Sequence, residues 1–274
     1  MRSFVSDLLE RLLLRGSEST GLRVVATHRV TPHMLRITFT GSGLDRFATD
    51  DNLHVRLLLP PAGASRDEWL EIGPDGSAGQ REKGERPIFR KYTLRRVDPV
   101  AGRVEIDFVL HDDGGPGAAW AAAARPGDVI GMIGPGGHGI GKAGWYLIAG
   151  DETALPAIGR ILESLSADAR GVVIVEIADA REQQDLRVPR NTMLRWLHRG
   201  DAAPGTTTLL KDAVARVAIP TDDGEVFVWA AAEFETARAI RTHLKSTGAL
   251  DKSRQLVVAY WRREAAEGTV GVSI

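Results

Sequence analysis

The feature that most constrains this chain is a change of rhythm part-way along it. Before about residue 134 the sequence runs in short β-rich segments broken by turns, at 22–28, 34–40, 54–59, 91–97, 104–110 and 129–133. That spacing predicts an antiparallel barrel or sandwich. After residue 144 apolar strands alternate with helices, at 145–149, 155–165, 172–177, 227–231, 236–245 and 256–260. That alternation predicts a parallel α/β sheet. The helices are read from features such as the Ile158, Ile161, Leu162, Leu165 stripe and the Gly248 that follows the last one. The expected layout is a short amphipathic helix at 1–16, a β-barrel domain over 17–142 and an α/β domain over 143–274. The boundary falls in the glycine-dense stretch 135–144, and 62–87, rich in Gly, Pro, Ser and charge, reads as a mobile surface loop.

A chain of 274 residues with 43% hydrophobic content can bury two cores. Its formal net charge of −1 supplies no broad basic field for nucleic acid or an anionic membrane, so any charge recognition is local. With no cysteine, disulfides, thiolate nucleophiles, iron–sulfur clusters and cysteine zinc sites are excluded. Asp7, Glu10, Arg11 and Arg15 interrupt the apolar residues at the start, unlike a signal peptide. No run approaches the roughly 18 apolar residues of a membrane span. The expectation is a soluble, cytoplasmic monomer.

Within the barrel half, Arg90-Lys91-Tyr92-Thr93-Leu94-Arg95 gathers a phenol, a hydroxyl and guanidiniums. Such groups suit a flavin: the phenol covers one face of the ring, the hydroxyl bonds its redox nitrogen, and a guanidinium pairs with pyrophosphate. A plain polar barrel strand has the same composition. Asp107-Phe108-Val109-Leu110-His111 is followed by Gly114-Gly115-Pro116-Gly117-Ala118-Ala119-Trp120. Small residues at a helix start permit close approach to phosphate, or else form a tight turn with a buried tryptophan.

In the second half, Gly150-Asp151-Glu152-Thr153-Ala154 turns from the first strand into the first helix, where backbone N–H groups and the helix dipole can receive a pyrophosphate. Thr153 is the expected cap and phosphate contact. An ordinary helix start capped by Asp151 or Thr153 is the alternative. Two tempting motifs fail: Gly136 to Lys142 has Walker A spacing but is followed by Ala143 and precedes its strand, as does the Gly139-x-Gly141-x-x-Gly144 mimic of a dinucleotide fingerprint. His54, His111, His138 and His198 make no zinc spacing, so no bound metal is expected. No nucleophile elbow has suitably placed partners.

Three of these segments, in order, resemble the siderophore-interacting protein family of FAD-dependent ferric-siderophore reductases, within the ferredoxin-reductase superfamily. They are Arg-x-Tyr-Thr-x-Arg at Arg90 to Arg95, Asp-Phe-Val-Leu-His with Gly-Pro and Trp at Asp107 to Trp120, and Trp-Tyr-Leu-Ile-Ala-Gly-Asp-Glu-Thr-Ala-Leu-Pro-Ala-Ile at Trp145 to Ile158. Weaker matches are His54-Val55-Arg56-Leu57, Val228-Trp229-Ala230 with Glu233 and Arg238, and Tyr260-Trp261-Arg262.

The resemblance implies a six-stranded FAD-binding barrel followed by an NAD(P)H-binding domain. By similarity Arg90 would hold the FAD pyrophosphate, Tyr92 would stack on the isoalloxazine and Thr93 would lie near its N5. Asp107, Val109, His111, Gly115, Pro116, Ala118, Ala119 and Trp120 would continue the FAD site. Gly150, Asp151, Glu152, Thr153, Ala154 and Glu233 would face NADH or NADPH. Asp179 and Arg181 offer one partner for a ribose hydroxyl and one for a 2′-phosphate, which leaves the choice of donor open.

The implied reaction reduces ferric iron in an anionic siderophore, so Arg56, Arg262 and Arg263 are candidates for a local cationic patch. It needs neither nucleophile nor tuned acid–base pair. Ala118, Ala232 and Ala259 stand where the family favours serine or glycine, as does Glu264 beside the last motif. These departures keep two alternatives in view: an FAD-carrying siderophore-binding protein without turnover, and a flavin reductase with another acceptor.

Overall fold

The computed structural model describes residues 19–51, 53–80, 87–111, 115–220, 226–248 and 251–263. The helix expected at 1–16 lies outside them. In chain order come β1 (Thr20–Thr31), β2 (Met34–Thr40), β3 (His54–Leu59), β4 (Leu70–Ile72), β5 (Ala78–Gln80), β6 (Ile88–Asp98), β7 (Arg103–Val109), α1 (Pro116–Ala122) and β8 (Val129–Gly136). Six of these strands close into a barrel of order β1-β2-β7-β6-β3-β8.

Period-two alternation builds its core, because successive strand side chains point to opposite faces. Leu35, Ile37 and Phe39 of β2, Val55, Leu57 and Leu59 of β3, and Val104, Ile106 and Phe108 of β7 all turn inward. Trp120 of α1 joins them, stacked on Phe39 with ring centroids 6.3 Å apart. The stretch expected to be a mobile loop instead contains the β4–β5 hairpin. Buried Trp69 anchors it by donating its Nε1–H to the Val129 carbonyl at 2.9 Å. Two three-residue strands are too short to show a period, and one tryptophan does the holding.

The second half contains β9 (Trp145–Gly150), α2 (Leu155–Ser164), β10 (Arg170–Ile177), β11 (Asn191–His198), α3 (Leu209–Ala215), β12 (Val226–Glu233), α4 (Phe234–Thr247) and β13 (Gln255–Trp261). The strands are parallel in the order β11-β10-β9-β12-β13. The chain runs outward from β9 to β11 and then restarts on the other side of β9. The carboxyl ends of β9 and β12 therefore flank a topological switch point, where open α/β sheets bind ligands. α4 ends at Gly248 with φ of 62°, a left-handed cap that glycine adopts without strain.

Helix α2 seats the sheet against the barrel. Arg95 of β6 holds Glu163 of α2 through two hydrogen bonds of 3.0 and 2.6 Å. Arg160 of α2 donates to the carbonyls of Leu94 and Thr49. Met34 on the outer face of the barrel is buried in the α/β core with Leu155 and Ile158, and Val109 packs against it.

Candidate functional site

Strand register lays out the barrel side of the site. Across β3 and β6, His54 faces Thr93 and Arg56 faces Lys91 on successive same-face rungs. Burial, and then the charge of Arg56, hold the Lys91 ammonium below its ordinary pKa. On the same strand, half-buried Tyr92 packs on Phe108 at 4.4 Å between ring centroids. Its hydroxyl reaches the first turn of α1, where a Cβ on Gly117 would collide with it. Glycine at 117 is thus what lets the helix start lie against the phenol. Arg90, half-buried two residues earlier, donates Nη1–H to the Phe89 carbonyl at 2.8 Å.

The α/β domain meets this face through β13. The Tyr260 phenol lies 3.1 Å from His54 Nε2, and Thr93 Oγ1 lies 3.5 Å from His54 Nδ1. Burial pushes His54 down to about 4, helped by the charges of Lys91 and Arg160, and raises Tyr260 far above a normal phenol. Tyr92, Arg90 and the glycine-walled start of α1 thus lie on one side of β6, a set that fits a flavin and its pyrophosphate, and Thr93, next along the strand, turns its hydroxyl to His54 and Tyr260.

Other residues of the expected FAD set have structural partners in the fold. The Asp107 carboxylate is taken by Arg36 in two bonds of 2.7 and 2.8 Å, and Arg95 is committed to Glu163. Val109 lies at the domain contact, and His111 is exposed just beyond β7. Gly115 is the N-cap of α1, Pro116 its first residue, Ala118 is buried and Ala119 exposed. Trp120 turns into the barrel core with Arg66 over its ring at 5.2 Å, the bland alternative foreseen for it.

At the switch point the expectation that Thr153 caps the turn is corrected. Asp151 is the cap: its carboxylate accepts from Thr153 N at 3.0 Å and from the Thr153 hydroxyl at 2.5 Å. Buried Asp151 also accepts from Glu233 N at 3.0 Å and Trp261 Nε1 at 2.8 Å, tying β9, β12 and β13 together. A Cβ on Gly150 would strike Ala154 and the Ala231 carbonyl, so glycine is required where the turn crosses β12. Glu152 pairs with Arg199, both buried. Glu233 caps α4, accepting from Glu235 N at 2.6 Å and Thr236 N at 3.3 Å.

Asp151, Glu152, Glu176 and Glu233 line one small crevice with Gly205 and Trp261. Burial raises the first three, Glu152 to about 7. Acidic groups crowded here, with the nearest N–H donors already used, offer little to a phosphate. At the end of β10, exposed Arg181 pairs with Asp179 at 2.6 Å and holds that carboxyl down to about 2. The two expected discriminators of NADH and NADPH thus neutralise each other. Arg262 stacks on Phe234 at 4.4 Å, and Arg263 N approaches Glu233 at 3.3 Å, both in the α/β domain while Arg56 stands on the barrel.

Sequence reasoning missed Lys91, His54, Tyr260, Trp261 and Arg199 as site residues. The first four stood inside matched segments. Arg199 carried no signal, because only the fold brings it to Glu152.

Comparison with known proteins agrees with this architecture. A family profile described as "Siderophore-interacting FAD-binding domain" matches residues 23–139, and one described as "Siderophore-interacting protein" matches 143–264. The chain is 32% identical over 239 residues to ferric vibriobactin reductase ViuB of Vibrio cholerae, covering 85% of this chain and 86% of that one. A siderophore utilization protein from T. fusca superposes with a TM-score of 0.80 at 38% identity, covering 93% and 96% of the two chains. The ferredoxin reductase of carbazole 1,9a-dioxygenase shares the fold, with a TM-score of 0.60 at 13% identity, over 89% of this chain and 70% of that one. A barrel matched to an FAD-binding domain, a parallel nucleotide-type sheet and these relatives lead to one conclusion: the chain belongs to the siderophore-interacting protein family.

Proposed function

We propose that the protein is an FAD-dependent reductase that takes electrons from NADH or NADPH and delivers them to the ferric iron of an imported siderophore, releasing ferrous iron. The observation that carries this reading is the pair of neighbouring rungs on the barrel face. Thr93 and His54 form one rung, the cations Arg56 and Lys91 form the next rung on the same face, and the flavin-type residue Tyr92 stands on the rung between them, turned to the other face. FAD, when bound, supplies the conversion of a two-electron donor's charge into single electrons for iron.

The chain's own residues bind and orient. Tyr92 presents an aromatic face, Thr93 a hydroxyl near N5, and Arg90 with the start of α1 the donors for pyrophosphate. Arg56 and Lys91 draw an anionic iron chelate to the exposed flavin edge. The acidic groups around Trp261 keep the phosphates of the donor away from this end of the sheet. Ferrous iron then leaves, since siderophores hold it far more weakly than ferric iron.

A second reading, an FAD-carrying siderophore-binding protein without turnover, draws on one observation. The N–H groups at Thr153 and at the start of α4 are occupied by carboxylates, leaving few donors for a nucleotide. An anaerobic visible spectrum separates the readings. Flavin bands that bleach with NADH or NADPH and return on adding a ferric siderophore support the reductase. Bands that no nicotinamide cofactor bleaches support the binding protein, and a chain that takes up no FAD overturns both.

A further inference from the structure

Tyr260, His54 and Thr93 belong to three strands in two domains, yet their polar atoms meet. The phenol reaches His54 Nε2 at 3.1 Å, Thr93 Oγ1 reaches Nδ1 at 3.5 Å, and the Thr93 hydroxyl also interacts with the phenol. Each group is held from behind. A Cβ on Gly137, in the glycine-dense boundary stretch, would lie 2.5 Å from the His54 ring, so the backbone there comes close against the imidazole. Trp229, fully buried, meets the Tyr260 ring edge-on at 6.2 Å. Thr93 is itself 5% exposed.

Burial first, and the charges facing the cluster second, set its protonation. Lys91 and Arg160 face His54, and the charge of Asp151 reaches Tyr260. Together with burial they keep the imidazole neutral and the phenol protonated at neutral pH. A neutral imidazole has one N–H donor and one acceptor nitrogen, so the cluster has two arrangements. In the first, Tyr260 donates to Nε2, Nδ1–H points at Thr93 Oγ1, and the Thr93 proton, accepted by the phenol oxygen while no flavin is bound, can pass to an outside acceptor. In the second, Nε2–H donates to the phenol oxygen, Thr93 donates to Nδ1, and the Thr93 oxygen offers lone pairs outward. The two differ by proton positions within the cluster, with no proton gained or lost.

We propose that Tyr260 and His54 are a positioning pair that sets the polarity of the Thr93 hydroxyl, donor in one histidine tautomer and acceptor in the other. This rests on the reading that Thr93 faces flavin N5. That nitrogen accepts a hydrogen bond when the flavin is oxidised and donates one when it is reduced. A single threonine hydroxyl then satisfies both redox states because the histidine changes tautomer behind it. Neither Tyr260 nor His54 needs to touch the flavin.

The test is ring ¹⁵N NMR of His54, assigned with the His54→Gln variant. It is read without flavin and with FAD in the oxidised and chemically reduced states, in wild type and in Tyr260→Phe. The variant keeps the ring that packs on Trp229 and removes only the hydroxyl. Wild type without flavin or with oxidised FAD is expected to be the Nδ1–H tautomer, and reduction is expected to convert it to Nε2–H. Tyr260→Phe is expected to hold Nε2–H throughout. It is also expected to move the flavin midpoint potential by about 30 mV, a tenfold change for a two-electron couple. Identical tautomers in the two flavin-free proteins, or one wild-type tautomer in both redox states, overturn the proposal. Absence of FAD binding instead sinks the flavin reading, and the flavin-free comparison still decides the pair.

Discussion

Tyr92 carries two jobs that one substitution separates from the rest of the fold. Its ring is half-buried on Phe108 and its hydroxyl rests on the glycine start of α1. Tyr92→Ala is expected to weaken FAD retention roughly tenfold, the equivalent of ~1.4 kcal/mol of lost stacking. Flavin content after gel filtration measures it, and unchanged content removes the stacking role. Glu152 makes a second residue-scale prediction. Burial first, and the Asp151 charge second, raise it from an ordinary 4.5 to about 7, against the pull of Arg199. A carboxyl with a raised folded-state pKa contributes stability that is complete below its unfolded value and is lost as pH climbs to the folded value. Glu152→Gln should therefore gain stability relative to wild type between pH 4.5 and 7, by at most about 3 kcal/mol. Paired thermal melts across that window check it, and a constant difference would show Glu152 ionised throughout.

At the scale of elements, α2 is the hinge of the arrangement. Arg95 is 8% exposed and its guanidinium also packs against Gly159, where a Cβ would come within 3.1 Å. Glu163→Ala leaves that charge buried without its carboxylate, whereas Arg95→Leu frees a carboxylate that is 35% exposed. Glu163→Ala is expected to cost about 2 kcal/mol and Arg95→Leu less, the asymmetry that burial imposes on breaking an ion pair. Urea unfolding of the two variants reads the order. The same pair explains a limit of the sequence. Arg90-x-Tyr-Thr-x-Arg95 reads as one ligand site, yet strand geometry sends Arg95 to a helix 68 residues away. β11 was illegible for a related reason. Asn191, Met193 and Arg195 are exposed on an edge strand, which hides the apolar run of its neighbours. α3 has only seven residues after a polar Thr206-Thr207-Thr208 stretch, too few for a period.

For the whole molecule, a net charge of −1 means that attraction of an anionic substrate depends on where the cations stand. Arg56→Glu is expected to raise KM for an anionic ferric catecholate about tenfold with kcat little changed, and the effect should shrink in high salt. Steady-state kinetics at two ionic strengths tests it, and an unchanged KM removes Arg56 from the substrate path. The two domain architectures, the order of the strands that carry FAD-type residues, and the glycines at the turns were determined by the sequence, because period, turn chemistry and motif order are local properties. The tertiary structure alone decided which charges face a ligand and which face each other. Asp107 with Arg36, Arg95 with Glu163, Glu152 with Arg199 and Asp151 beneath Trp261 are pairings across strands and domains. Charge pairing depends on distance in space, and no spacing along the chain encodes it.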